Sequence, residues 1–317
     1  MRLSLAKRAK GVVSLAVSAV LAVGLLPVFP AQATAFADEV AAGEGGGEIL
    51  VVLDEAKTAR SGLSVESFTT DSVQSLRSAG VESSEVVIED GKIGTVLKAE
   101  VSSDRTVDQA IEAVSRLPYV SYAQKNYTYK LIDSVPSDES LSTGTSAGTS
   151  AGTSGESAIE PLATTTNDEG LSRQYYLKDS ASNGSNVLNA WDVARAEGTV
   201  TVAVLDTGAY VNHEDLAANL DTDNMWDAYN RTERGTITSS YNPNGDVHGH
   251  GTHVAGIVAA EANNAKGIAG ASYNARVLPI KVFDDSSDPG CETSTLAEAY
   301  EYLFDLVSQG KVEGLHV

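Results

Sequence analysis

The amino-acid sequence predicts an α/β domain built on a parallel sheet, preceded by a smaller α+β module. Two apolar runs indicate the parallel sheet, one at residues 200–205 and one in ARVLPIKVF at residues 275–283. Such nearly unbroken runs are typical of parallel strands that helices cover on both faces. A stretch without aromatic residues separates the two parts, and a strand, helix and hairpin pattern precedes it.

The first 37 residues have the order of a secretory signal peptide. Four basic residues and no acidic residue precede an apolar run from Gly11 to Phe29, and alternating alanines follow it. Cleavage is expected after Ala33 or Ala37. A membrane anchor is the alternative, but two prolines end the run early. The sequence therefore predicts a secreted protein without membrane association after cleavage, and any attachment to the cell surface would need a C-terminal region.

Composition excludes one class of partner. The chain carries 43 acidic and 22 basic residues, for a net charge of −21 at pH 7. A surface this acidic repels phosphates, so nucleic acid is not an expected partner. The single cysteine, Cys291, cannot form a disulfide within the chain, and its neighbours lack the cationic setting of a reactive thiol. Stability outside the cell must then come from packing or bound ions.

Residues 38–132 predict a compact module of alternating strands and helices. The segment GEILVVLDE reads as a strand, VESFTTDSVQSLRSAG as a helix and VVIEDGKIGTVLKAEV as a hairpin. A second helix in TVDQAIEAVSRLPYV stops at Pro118, and the extended VSYAQKNYTYKL follows. The order strand, helix, strand, strand, helix, strand is that of a ferredoxin-like α+β sandwich.

Residues 133–169 predict a linker. This stretch is rich in Ser, Thr and Gly, repeats the letters TSAG, and has seven acidic residues without Lys or Arg. Such a composition cannot bury enough apolar area to offset the entropy of ordering the chain. The linker therefore divides the module from a second folding unit at residues 170–317.

The sequence of the second unit, residues 170–317, contains the segments that predict the α/β sheet. A helix in NVLNAWDVARAEG is expected to end at Gly198, and the strand in TVTVAVLDTG to end at Asp206. Functional sites of open α/β sheets lie at this carboxyl edge of the strands. A long helix is expected from Ser294 to Gln309, with its tyrosines and Phe304 in packing roles, and GLHV begins a third strand.

Three histidines crowd the segment DVHGHGTHVAGIVAA at residues 246–260. The spacing of His248, His250 and His253 allows two chemistries. One is a zinc site with added Asp ligands, although the hydrolase form of that pattern has an Asp where Thr252 stands. The other is a general base at a helix N-terminus, held by a carboxylate from elsewhere in the chain.

Asp206 is the candidate partner for that base. The letters LDTG also occur in aspartic proteases, but those need two such carboxylates sharing a proton, and the sequence has no second DTG or DSG block. Combining the two stretches gives Asp206 to orient an imidazole and His250 to act as the base.

These two stretches carry a family resemblance. VAVLDTG at residues 202–208 and HGTHVAGIVAA at residues 250–260 resemble the first two active-site blocks of the subtilisin-like serine proteases. The resemblance implies an incomplete α/β subtilisin-like catalytic domain at residues 170–317. The module at residues 38–132 is similar to the subtilisin propeptide, which implies a folding chaperone and an intramolecular inhibitor.

The resemblance also implies roles for single residues. Asp206 and His250 match the triad aspartate and histidine, His253 matches a structural position, and His248 lies at a cleft rim. The implied activity is cleavage of protein or peptide substrates. No serine stands in a matching block after the histidine helix and the oxyanion asparagine is missing, so residues 1–317 alone are expected to be an inactive fragment. The acidic Asp246 hints at tolerance of basic substrate residues.

A structural calcium ion is a further implication. Gln174, Asp215 and Asn264 match the family positions that supply side-chain oxygens to calcium, and Lys266 and Ile268 would offer backbone oxygens. Oxygen ligands of this kind suit a hard cation.

A second hypothesis treats the chain as complete and without catalysis. It would then act as a binding or inhibitory protein that uses its propeptide-like module against another protease. The expectation of a half-built parallel sheet with an unpaired edge argues against this hypothesis.

Overall fold

The computed structural model describes the chain in seven stretches: residues 47–68, 74–131, 166–178, 184–196, 200–233, 245–312 and 314–317. The predicted signal peptide and residues 133–165 of the predicted linker lie outside the described residues. Among the helices in these stretches, none is long and apolar enough to cross a membrane.

Residues 47–131 fold around a four-stranded antiparallel sheet with the strand order β2-β3-β1-β4. Strand β1 lies between β3 and β4, which explains why its apolar run is almost entirely buried. A short further strand, β5, lies outside this sheet. The elements are β1 Glu48–Leu53, α1 Glu55–Arg60, α2 Gln74–Ser78, β2 Val81–Gly91, β3 Gly94–Val101, α3 Val107–Val114, β4 Val120–Lys125 and β5 Thr128–Lys130.

Helix α3 covers one face of this sheet. It begins with a capping box, in which the Thr106 hydroxyl accepts the Gln109 amide and the Gln109 side chain accepts the Thr106 amide. Ala110 and Val114 then pack in the same core as Val51 of β1. The helix predicted in this segment is therefore confirmed, and it ends before Pro118.

Two segments of the module differ from the prediction. The strand predicted to run from Gly47 to Glu55 ends at Leu53, because the Asp54 carboxylate accepts the Lys57 amide at 3.0 Å and starts α1. This helix is mostly exposed and lacks an apolar period, so no sequence pattern indicates it. The helix predicted at residues 65–80 is a 3₁₀ turn at Val65–Phe68 and the short α2, with residues 69–73 outside the described part.

The second part contains a parallel sheet with the strand order β10-β6-β8-β7. Strands β6 and β8 are its centre, and Asp206 at the end of β6 lies opposite Lys281 at the end of β8. A short strand, β9, lies outside this sheet and precedes the longest helix. The elements are α4 Val187–Ala190, β6 Thr201–Asp206, β7 Trp226–Asp227, α5 His250–Ala259, β8 Arg276–Lys281, β9 Gly290–Glu292, α6 Thr293–Ser308 and β10 Leu315–His316.

Helices cover both faces of the parallel sheet. Val204 and Val277 pack in one core with Ala255 and Ala259 of α5. Their neighbours along the strands, such as Leu278, point the other way and pack with α6. Because both faces are buried, the strands read as continuous apolar runs rather than alternating ones. The predicted α/β architecture is confirmed.

Helix α4 is shorter than predicted. It spans four residues and ends at Ala190, whereas the prediction ends at Gly198, which lies outside the described residues. The chain enters it through Asn186 at φ 63°, without a side-chain cap. Trp191 follows it, and its buried indole donates a hydrogen bond to the Ala271 carbonyl at 2.9 Å. Tertiary packing rather than helical periodicity therefore holds this segment.

Candidate active site

The site begins at the carboxyl end of β6, where the apolar strand ends in the buried Asp206. The Thr207 amide donates to Asp206 Oδ1 at 2.7 Å and fixes the carboxylate close to its own backbone. Gly208 then turns the chain at φ 117°, and a Cβ there would lie 2.1 Å from the Gly245 carbonyl oxygen. Only glycine therefore allows the turn to pass so close to the loop before α5.

His250 is the first residue of α5, and its Nδ1 lies 2.7 Å from Asp206 Oδ1. The two side chains differ in solvent exposure: the side chain of His250 is 31% exposed, and that of Asp206 is 9% exposed. An ionised carboxylate only accepts hydrogen bonds, so the contact favours the tautomer with the proton on Nδ1. Nε2 then carries the lone pair and can act as a base.

Asp246 organises the start of α5. Its Oδ1 accepts the amides of His248 and Gly249 and the hydroxyl of Thr207, and its Oδ2 accepts the amide of Thr252. Burial alone would raise the pKa of Asp246, but these hydrogen bonds and one from the Thr252 hydroxyl hold it below its usual value. The carboxylate is buried and its oxygens accept hydrogen bonds inside the protein, so its surroundings give no support to the hint that it favours basic substrate residues.

Thr207 and Thr252 connect the turn after β6, which follows Asp206, with the start of α5, which carries His250. The Thr207 hydroxyl accepts the Gly251 amide at 2.9 Å, which ties the turn after β6 to the first turn of α5. The Thr252 hydroxyl accepts the Tyr210 amide at 2.9 Å and donates to Asp246. At the position where the zinc pattern needs a carboxylate, the chain therefore uses a hydroxyl to fix the loop.

The other two histidines have different surroundings from His250. His253 is exposed, and His248 is partly exposed in the loop before the helix. Within the residues that the structure describes, no three His, Cys, Asp or Glu side chains are grouped to hold a metal ion. The local geometry thus supports the general-base interpretation of His250, and nothing in it supports the zinc interpretation.

Lys281 is a buried residue of this region that sequence reasoning missed. Its side chain is 1% exposed and its ammonium donates to the carbonyls of Thr207 and Phe283 and to the Asp285 carboxylate. Asp227, opposite Lys281 in the sheet, is also fully buried. Burial raises the pKa of Asp227, and hydrogen bonds from Asn230 and the charge of Lys281 partly offset that effect. A lysine inside the otherwise apolar run VLPIKVF at residues 277–283 was the signal that could have revealed it.

The three residues of the predicted calcium site converge on one loop. Asp215 accepts hydrogen bonds from the Asn264 side chain at 2.8 Å and the Ile268 amide at 2.9 Å. The Gln174 side-chain oxygen accepts the Ala269 amide at 2.9 Å. The oxygens that would bind calcium therefore already accept N–H donors, and the Asn264 amide turns its nitrogen toward Asp215. The arrangement is a hydrogen-bonded loop that gives no support to the predicted calcium ion, which stays a prediction.

The module contacts the second part through β5, which pairs antiparallel with β9 in the register Tyr129 to Cys291. Nearby, the Lys98 ammonium lies 2.8 Å from the Glu292 carboxylate and 3.1 Å from that of Glu48. Burial alone would raise the pKa of Glu292, but hydrogen bonds and the charge of Lys98 hold it below its usual value. Sequence reasoning did not predict this pairing, because β5 and β9 are far apart in the chain and both are only three residues long.

Two further contacts fix the module against α6. The Glu301 carboxylate accepts the backbone amide of Lys92 at 2.9 Å, at the tip of the β2–β3 turn. Leu50 and Val96, on the sheet face opposite α3, lie in one apolar cluster with Ala297 of α6. The module thus contacts both the short strand β9 and one face of helix α6 in the second part.

Cys291 lies on β9 and is 1% exposed. Burial raises the pKa of its thiol to about 12, with a small contribution from Glu292. The thiol is therefore protonated at neutral pH, which agrees with the prediction that it is not a reactive group.

Comparison with known proteins identifies a family for the second part. Residues 197–312 match the model of the subtilase family. An extracellular protease of Xanthomonas campestris pv. campestris is 36% identical over 168 residues, which are 48% of this chain and 27% of that protein. Thermitase of Thermoactinomyces vulgaris is 41% identical over 97 residues, which are 31% of this chain and 30% of thermitase.

Among solved structures, fervidolysin from Fervidobacterium pennivorans matches with a TM-score of 0.42 and 22% identity, over 79% of this chain and 32% of that one. The chain spans less than a third of the length of each of these three proteins. The similarity to the subtilase family thus covers residues 197–312, the segment that contains both Asp206 and His250.

Proposed function

We propose that the whole protein is a secreted serine endopeptidase, made as a precursor whose N-terminal module inhibits the enzyme. One observation carries the proposal: within the segment that matches the subtilase family, Asp206 Oδ1 lies 2.7 Å from Nδ1 of His250. A histidine held in this way is a general base for a hydroxyl nucleophile. We expect the nucleophilic serine and the oxyanion asparagine beyond residue 317.

His250 moves protons at two points in the proposed reaction. Its Nε2 first accepts the serine hydroxyl proton, while the serine oxygen bonds to the carbonyl carbon of the scissile peptide. It then gives that proton to the leaving amine as the carbon–nitrogen bond breaks, which leaves an acyl-enzyme. Water hydrolyses this ester by the same route. Asp206 keeps its charge throughout and stabilises the imidazolium that forms twice in each cycle.

Labelling with a fluorophosphonate probe tests the enzymatic proposal directly. We expect the whole protein to be labelled on one serine, to hydrolyse casein, and to lose both properties in the His250→Ala variant. Secretion is tested on the same material, which should be recovered from the culture medium with an N-terminus after Ala33, after Ala37 or further along the chain. Labelling that does not depend on His250 would contradict the proposed base.

The inhibitory role of the module rests on its contacts with β9. A strand of an inhibitor that pairs with an edge strand of an enzyme blocks that edge to other extended peptides. The pairing of β5 with β9 supports this mode. The ion pair between Lys98 and Glu292 adds an attraction between opposite charges; the Lys98 side chain is 20% exposed and the Glu292 side chain 37% exposed. Cleavage in the predicted linker would then separate the inhibitor from the enzyme.

We expect Lys98→Glu in the whole protein to weaken inhibition by the module about tenfold. The change places a third carboxylate beside Glu292 and Glu48, where Lys98 now donates to both. The measurement is the inhibition constant of the cleaved module. Lys57→Glu is the matched control, because the ion pair of Lys57 with Asp54 stays inside the module. Equal inhibition constants for the two variants would argue against a role of this contact.

Calcium is tested by its effect on thermal stability. The hydrogen-bonded arrangement of Asp215, Asn264 and Gln174 predicts that the Tm does not change between EDTA and millimolar calcium. A bound ion would instead stabilise the folded state by about 2.7 kcal/mol at a concentration one hundred times its Kd. A rise in Tm with calcium that Asp215→Asn abolishes would restore the predicted site.

A further inference from the structure

The buried ammonium group of Lys281 has three hydrogen-bond donors and three acceptors around it. These acceptors are the Phe283 carbonyl at 2.7 Å, the Asp285 carboxylate at 2.8 Å and the Thr207 carbonyl at 3.2 Å. The ammonium is therefore fully satisfied, and its direction is fixed. Two of the acceptors lie downstream of β8, and the third belongs to the turn that follows Asp206.

Stability alone does not account for a buried lysine. Removing an ammonium from water costs several kcal/mol of free energy. The attraction of an ion pair in the protein interior often does no more than offset that cost. An apolar side chain of similar length at the end of β8 would pack there without that cost. A role in the site gives a more direct reason for the charge.

Thr207 is the residue through which Lys281 reaches the site. Its amide donates to Asp206 Oδ1 at 2.7 Å, and its hydroxyl accepts the Gly251 amide at 2.9 Å. Its carbonyl is the group that Lys281 holds. The peptide on each side of Thr207 is thus fixed, one by the carboxylate of Asp206 and the other by the ammonium of Lys281.

We infer that Lys281 is a positioning residue, which sets the direction of the Asp206 carboxylate by anchoring the Thr207 carbonyl. The inference rests on the proposed function, because it concerns the same pair of Asp206 and His250. Without the anchor, the peptide after Thr207 can rotate and the Thr207 amide follows it. The contact of 2.7 Å between Asp206 and His250 then lengthens or bends, and the imidazole is less well aligned for proton transfer.

The test is Lys281→Met, which keeps most of the length of the side chain and removes the ammonium. In the whole protein we expect kcat to fall roughly 10- to 100-fold with KM unchanged, because a small misplacement of a catalytic group costs about that much. In this chain we expect the Nδ1 proton resonance of His250, far downfield in the wild type, to move upfield or broaden. Lys311→Met, an exposed lysine after α6, is the control and should alter neither measurement.

The two readouts separate this inference from the proposed function. A wild-type chain without a downfield Nδ1 resonance, together with an inactive whole protein, would count against the proposed pair itself. A resonance and a kcat that Lys281→Met leaves unchanged would overturn the role of Lys281 alone. If Lys281→Met does not fold, Asp285→Asn replaces it as the test, since it weakens the anchor from its partly exposed end. That variant should shift the resonance in the same direction, and an unshifted resonance would overturn the inference.

Discussion

Asp206→Asn in the whole protein is expected to lower kcat by about 10⁴-fold while the protein stays folded. The amide keeps an oxygen that can accept the Thr207 amide, but it removes the negative charge beside the ring of His250. That charge stabilises the imidazolium formed when Nε2 takes a proton. If the amide rotates, its nitrogen donates to Nδ1 and selects the tautomer with the proton on Nε2, which cannot act as the base.

Steady-state kinetics on a peptide substrate measure this effect. KM should change little, because the charge of Asp206 acts mainly in the transition state. Asp221→Asn is the matched control: Asp221 is also a buried carboxylate of the second part, but it accepts hydrogen bonds from Asn224 rather than from a histidine. Its kcat should stay within about twofold of the wild type. A loss below tenfold for Asp206→Asn would contradict the proposed role.

The contact between Asp206 and His250 is predictable from the sequence because both residues lie at element boundaries with strong local signals. The apolar run before Asp206 ends abruptly, and the glycine-rich segment around His250 begins a helix of small residues. The carboxyl edge of a parallel sheet then brings strand ends and helix starts together. Two local patterns and one rule of architecture are enough to predict the contact.

Other features depend on contacts between distant residues, and local patterns do not contain them. Asp246 has the sequence context of a surface charge, yet its carboxylate is buried and accepts five hydrogen bonds from four residues between Thr207 and Thr252. The pairing of β5 with β9 joins strands about 160 residues apart along the chain. The predicted calcium residues Gln174, Asp215 and Asn264 do lie around one loop. Their sequence does not show that the oxygens of Asp215 and Gln174 accept hydrogen bonds from N–H groups.

Gly251→Ala should destabilise the protein through a steric clash inside this site. A Cβ at residue 251 would lie 2.2 Å from the Gly208 carbonyl oxygen and 3.1 Å from Cβ of Asp206. The nearest atom belongs to the backbone of a turn that glycine already fixes, so it cannot move aside as a flexible side chain could. Overpacking of this kind costs about 1–3 kcal/mol, and a contact well under 3 Å lies at the upper end of that range.

Helix propensity opposes this clash and provides the control. Alanine stabilises a helix interior by up to about 1 kcal/mol relative to glycine, and Gly256 lies in the same helix, where a Cβ would meet no atom within 4 Å. Gly256→Ala should therefore raise the free energy of unfolding, while Gly251→Ala lowers it by about 2 kcal/mol net. Chemical denaturation of both variants measures the difference. Because the clash pushes the Gly208 turn away from α5, Gly251→Ala should also weaken the contact between Asp206 and His250. A variant as stable as Gly256→Ala would mean that the turn after β6 can yield, and that Thr207 and Lys281 do not hold it rigidly.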